Sequence, residues 1–186
     1  MITVKTPNFN KILTTIKDLD KDTKKAFYRA QNKGVRKFRT EEGKEVRKIY
    51  TKVKKSDVTK ATKLKLANMS NLNAQVKIKG SLLPIQDSLL RTKRKTKKGT
   101  IKVNIKNNTT KALNPSGNKP FLMTVNGKII VMQRKTKKKY PLKQIKTLSI
   151  PQMLSNIEVS DNLIKITEKT INDEFDRLLN FKGEKF

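Results

Sequence analysis

The sequence predicts an α+β fold: N-terminal helices, a small and mainly antiparallel sheet with a central hairpin, and a C-terminal helix. Three observations predict it. Apolar residues recur at helical spacing up to Ile49, alternate with period two between Ala74 and Gln133, and return to helical spacing after Ser155. Helices, then strands, then a helix make an α+β order rather than an alternating βαβ one.

The elements follow in chain order. Phe9, Ile12, Leu13, Ile16 and Leu19 mark a first helix over residues 8–19. A second, longer helix covers 20–50, with the stripe Phe27, Ala30, Phe38, Val46, Ile49. Gly34 and Gly43 are its soft points, and its Lys, Arg and Glu form a solvated face. Ser56 can cap a short helical turn around Asp57–Thr62. Ala74, Val76 and Ile78 alternate with Gln75, Lys77 and Lys79, and Ile101, Val103 and Ile105 with Lys102, Asn104 and Lys106. Both read as half-buried strands.

Phe121–Val125 and Lys128–Gln133 flank Asn126-Gly127, the residue pair that a type I′ hairpin turn prefers. Ile129, Ile130, Val131 and Met132 are apolar on both faces, so this hairpin is central in the sheet or covered by a neighbouring subunit. Ser155 and Glu158 have capping-box spacing. The C-terminal helix that follows carries Ile157, Ile164, Ile171, Phe175 and Leu178 on one side. The expected organisation is an N-terminal helix or arm over 1–19 and a single domain over 20–186.

Charge is distributed unevenly. The 186 residues carry 45 Lys plus Arg against 15 Asp plus Glu, a net charge of +30. Between Val58 and Ile157 there are 23 basic residues and one acid, Asp87. A solvated surface normally mixes both signs, so this block points to a strongly negative partner such as duplex nucleic acid. Two basic clusters lie where connections between strands belong: Arg91, Lys93, Arg94, Lys95, Lys97, Lys98, and Arg134, Lys135, Lys137, Lys138, Lys139. Both suit a phosphate backbone, although a pair of solvated loops would carry the same residues. Lysine lacks the bidentate fork that reads guanine, and aromatics are only 5% of the chain, so the expected DNA contact is sequence-independent.

Catalysis and cofactors find little support. The chain has no Cys and no His, hence no disulfide, no thiolate and no imidazole base or ligand. Its acid clusters, Glu41, Glu42, Glu45 and Asp173, Glu174, Asp176, suit ion pairs along helices. No metal or cofactor is expected. No secretory signal is visible, and the longest apolar run, Ile129–Met132, is far shorter than a membrane span of about 20 residues.

Residues 140–154 read YPLKQIKTLSIPQML. Leu142, Ile145 and Leu148 are apolar anchors, and Pro151 suits the first position of a helical turn. By physics alone this is an extended connector ending in a short helix. The segment resembles the signature of the phage minor tail protein Z family, the tail-completion proteins of long-tailed phages. Pro141, Leu142, Lys143 and Ser149, Ile150, Pro151, Gln152, Met153 match that signature in spacing. Where family members often have Gly-Pro, this chain has Thr147 and Leu148.

The resemblance implies a non-enzymatic virion protein of the neck or tail. It would complete the head-proximal end of the tail and join it to the head, after a stay in the host cytoplasm during assembly. It implies a homo-oligomeric ring, a hexamer by the tail's symmetry. The implied partners are tail terminator, tail tube and head-tail connector proteins, with non-specific double-stranded DNA in the channel and no membrane. Ile129, Val131, Pro151, Gln152, Met153 and Leu154 are the expected interface residues. A tail terminator ring and a free non-specific nucleic-acid-binding protein are the alternative readings.

Overall fold

The computed structural model describes residues 20–50, 52–85, 89–91, 101–113 and 117–183. The fold is mixed α+β, as the sequence predicts. The helix expected over 8–19 lies outside the described residues.

Helix α1, Lys21–Ile49, runs unbroken through Gly34 and Gly43. Asp20 caps it, its carboxylate accepting from the Asp22 and Thr23 N–H groups. Phe27, Ala30, Phe38 and Val46 are buried as expected, but so are Gln31, Glu41, Glu42 and Glu45, so its acids do not all sit on a solvated face. Helix α2 spans Lys55–Ala61, with Lys54 rather than Ser56 at its N-cap and no side-chain cap.

Among the described residues, nine short strands follow. They are β1 (Thr62–Lys65), β2 (Gln75–Ile78), β3 (Leu82–Pro84), β4 (Lys102–Val103), β5 (Lys111–Ala112), β6 (Phe121–Val125), β7 (Lys128–Arg134), β8 (Leu142–Gln144) and β9 (Lys146–Ser149). Their pairings are antiparallel: β1 with β2, β3 with β9, β4 with β5, and β6-β7-β8 in a three-stranded sheet. The expected hairpin is β6-β7, turning at Asn126 (φ 49°) and Gly127 (φ 71°). Its strand β7 is central, which explains why Ile129–Met132 are apolar on both faces.

The connector at 140–154 is more regular than its sequence suggests. Thr147 and Leu148 form part of strand β9 and make no turn. Ile145, between β8 and β9, ties two sheets together: its N–H donates to the Val131 carbonyl (2.9 Å) and its carbonyl accepts from the Ile85 N–H (3.3 Å). Helix α3, Ile150–Leu154, then starts with a capping box. The Ser149 N–H donates to Gln152 Oε1 (2.9 Å), and the Gln152 N–H donates to Ser149 Oγ (3.4 Å). The capping box therefore belongs to α3 and not to Ser155–Glu158; Ser155 is the C-cap of α3.

Helix α4, Ile157–Gly183, lies along α1. Ile157, expected in its buried stripe, is 77% exposed, whereas Val159 and Leu163 are buried. Phe27 and Phe175 meet edge to face at 5.9 Å. A Cβ on Gly34 would lie 2.8 Å from Ile171 Cδ1 and closer still to its Cγ1, so the helices approach closely there. One core cluster joins the helices to β2 through Phe38, Val46, Val58, Ile78, Met153 and Leu163. A second lies among the remaining strands, around Ile85, Ile101, Val103, Val131 and Ile145, and Ile105 packs against both.

Candidate nucleic-acid interface

The turn from β7 to β8 presents the second basic cluster. Arg134, Lys135, Lys137, Lys138 and Lys139 are all exposed, as are Thr136 and Tyr140 between and beside them. The turn is not a loose loop. The Lys135 N–H donates to the Pro141 carbonyl (3.0 Å), closing its neck. Asn118 Nδ2 donates to the carbonyls of Arg134 (3.1 Å) and Thr136 (2.9 Å). Gln133 Nε2 in turn donates to the Asn118 carbonyl (2.5 Å). Within the turn, the Lys138 N–H donates to Thr136 Oγ1 (3.2 Å).

Two cations lie over rings. The Arg134 guanidinium is 5.9 Å from the Phe121 centroid, and the Lys139 ammonium is 5.6 Å from the Tyr140 centroid. No carboxylate among the described residues pairs with any of the five cations. Neither Asn118 nor Gln133 stood out in the sequence, because a polar residue that shapes a turn from another segment leaves no local pattern.

Of the first cluster, Arg91 is described. Its N–H donates to the Lys102 carbonyl (3.0 Å), which places it at the edge of β4. Lys93, Arg94, Lys95, Lys97 and Lys98 lie outside the described residues. The expected interface residues are distributed differently. Val131, Met153 and Leu154 are buried in the chain's own core. Ile129 and Pro151 are half-buried, and Gln152 is exposed with its amide engaged in the α3 cap. Val131, Met153 and Leu154 therefore hold this chain together, leaving little apolar surface there for a neighbour.

The acids are arranged for structure. Lys44 and Lys37 flank Glu41 at 3.0 and 3.2 Å and hold its carboxyl below the usual range. Arg177 and Lys33 hold the Glu174 carboxyl at about 2, with contacts of 2.8 and 2.5 Å. Burial pushes Glu42 up to about 7, opposed by its hydrogen bond from Thr62 and by Arg39. Among the described residues, no group of three or more acidic side chains could hold a metal ion. A cavity of about 80 Å³ lined by Leu83, Pro84, Leu89, Ile105 and Met153 is well below the roughly 300–1,000 Å³ of small-molecule sites. No helix among the described residues is long and apolar enough to cross a membrane.

Charge is also sorted between two further surfaces. On the β1-β2 ladder, Lys63 stands directly opposite Lys77, and Lys65 and Lys79 share their face. All four are exposed. The outer face of α4 carries exposed Glu158, Asp161, Glu168, Asp173 and Asp176 beside Lys165 and Lys169. None of these five acids has an ion-pair partner among the described residues.

No curated protein and no solved structure matches the chain. The family model for prophage minor tail protein Z matches residues 9–183, far more than the 140–154 segment that carries the signature. With that match over nearly its whole length, the chain belongs to the prophage minor tail protein Z family, which gives it a structural role in the phage tail.

Proposed function

We propose that this chain completes the head-proximal end of the tail and joins it to the head, as a subunit of a six-fold ring with non-sequence-specific contact to the DNA inside. The observation that carries this reading is the Arg134–Lys139 turn. It holds five exposed cations in six residues, its shape is fixed by Asn118 and Gln133, and no described carboxylate neutralises it. A preshaped, uncompensated basic turn suits a phosphate backbone. The 91–98 cluster supplies a second basic segment of the same chemistry. Residues 20–186 act as one domain in this reading, with 1–19 as an N-terminal helix or arm.

Charge arithmetic supports placing only part of the surface on DNA. A domain of this length is about 40 Å across. Duplex of that length carries about 24 phosphates. Six turns of five cations each already bring 30 charges. The rest of the +30 on each chain therefore meets protein or counterions, with terminator, tube and connector rings as the expected neighbours.

Complementation tests the reading. Tails made without the chain should fail to join DNA-filled heads and regain joining when the purified protein is added. A Lys137→Glu, Lys138→Glu protein should not restore it. Restoration by that variant removes the DNA role of the turn. Tails that join heads without the chain remove the completion role, and would favour a free nucleic-acid-binding protein.

A further inference from the structure

The lysine face of β1-β2 has no partner among the described residues, and its construction shows that it is held in place. Asn32 on α1 grips the end of β1 twice: Nδ2 donates to the Ala67 carbonyl (2.9 Å) and Oδ1 accepts from the Ala67 N–H (2.8 Å). Gln31 Oε1 accepts from the Ala74 N–H (3.0 Å), just before β2. Thr62 and Ile78 point inward and are buried. By strand alternation Lys63, Lys65, Lys77 and Lys79 point away from α1. The direct Lys63-Lys77 pairing is unfavourable in isolation, since like charges opposite each other destabilise a ladder. A negative surface laid over the face removes that penalty.

This chain itself carries such a surface on α4. The two faces belong to elements that pack on α1 in different directions around a shared core. Gly34 faces α4, meeting Ile171 and Thr167, whereas Asn32 faces β1-β2. At about 100° per residue, the ladder contacts of Asn32, Gln31 and Glu42 lie about 160°, 60° and 80° around α1 from Gly34, so the two elements pack on it in different directions. The faces also lie at similar heights. Thr62 is bonded to Glu42 and Ala67 to Asn32, while on α4 Asn162 bonds to Glu45 and Ile171 meets Gly34.

We propose that copies of this chain join head to tail, with the Lys63-Lys77 face of β1-β2 on one copy against the Asp161-Glu168 face of α4 on the next. This rests on the ring reading above and assigns its contact. Neither face favours pairing with itself, because lysines would meet lysines on one and the other, with five exposed carboxylates to two lysines, is net negative. A two-fold contact through either patch is therefore repulsive, and the attractive combination is heterologous. A heterologous contact is the kind that closes into a ring when its rotation permits. Both faces are exposed, which leaves both free in every subunit.

Zero-length carbodiimide coupling in assembled tails tests the contact, because it links a lysine to a carboxylate only when the two are in ion-pair range. The expected result is a bond from Lys63 or Lys77 to Asp161 or Glu168, shown to join separate copies by mixed isotopic labelling. Tails that hold several copies without such links overturn this contact and leave the completion role standing. Tails that hold a single copy overturn the ring as well. Charge exchange gives a second readout. Lys63→Glu, Lys77→Glu and Asp161→Lys, Glu168→Lys proteins should each fail to enter tails alone, with thermal unfolding confirming that each is folded. Mixed together they should enter, since each then offers the other a complementary face. Entry of either folded variant alone, or failure of the mixture, contradicts the proposal.

Discussion

The Thr62 hydroxyl donates a 2.7 Å hydrogen bond to Oε2 of Glu42, joining the first strand to the middle of α1 in a fully buried position. The other carboxyl oxygen of Glu42 has no hydrogen-bond partner among the described residues. A carboxylate in that position loses most of its hydration, which is why the neutral acid is favoured up to about pH 7.

Glu42 therefore makes stability fall as pH rises. Its folded value, about 7, lies above the ordinary 4.5, so the folded state binds the proton more tightly. Its contribution is fully present below about 4.5 and is lost as pH rises through about 7. At about 1.36 kcal/mol per pH unit the change is on the order of 3 kcal/mol across that window. Glu42→Gln should flatten the wild-type decline, read by denaturant unfolding at pH 4.5 and pH 8. An equal decline in the variant would contradict this.

Glu174 works in the opposite sense. Arg177 and Lys33 hold its carboxyl at about 2, so its contribution is present above the ordinary 4.5 and lost as pH falls toward 2. Glu174→Gln should lower stability at neutral pH and converge with wild type in acid. Thermal unfolding from pH 7 down to pH 2 measures this.

Gly34→Ala sets two effects against each other. Alanine is the better helix former by about 1 kcal/mol. Its methyl group would overlap Ile171 on α4, and overpacking costs about 1–3 kcal/mol. The overlap involves Cγ1, near the Ile171 backbone, which cannot swing away cheaply. Net destabilisation of up to about 2 kcal/mol is expected, seen as a lower denaturant midpoint. An unchanged or raised midpoint would show that the helices separate easily.

Lys63→Glu should stabilise the isolated chain. It replaces a like-charge pair with an attractive one opposite Lys77, worth about 0.2–1 kcal/mol in an exposed ladder. The gain should shrink in high salt. A loss of stability at low salt would show that Lys63 already has a compensating partner.

The basic turn should govern salt dependence. Removing one lysine from a phosphate reduces the slope of log K against log salt by about 0.9, so Lys137→Gln, Lys138→Gln should reduce it by about 2 on any duplex sequence. Both lysines are exposed, so the unfolding midpoint should stay the same. Equilibrium binding across a salt series gives the slope, and an unchanged slope would take these lysines off the DNA.

Much of the fold was legible because its signals are local. The α1 stripe of Phe27, Ala30, Phe38 and Val46, and Asn126-Gly127 between β6 and β7, sit within single elements. Strands β3 and β9 were not legible, since Leu82 pairs with Ser149 across most of the sheet region and no short window records that. Ser149-Gln152 and Ser155-Glu158 both have capping-box spacing, and Pro151 just inside the first of them fits the helix that forms there. Ile157 fell outside the buried stripe because helix phase is set by packing on α1, where Val159 and Leu163 are buried instead. The lysines of the basic turn were visible, but the Asn118 and Gln133 bonds that shape it were not.

A side-chain-resolution density map of the head-proximal end of the assembled tail is the decisive experiment for the proposed role. It should show several copies in a ring, with Lys135, Lys137 and Lys138 of each turned toward duplex in the channel. A map that places the chain elsewhere in the particle, or buries those lysines against protein with the duplex lined by other subunits, would overturn that role.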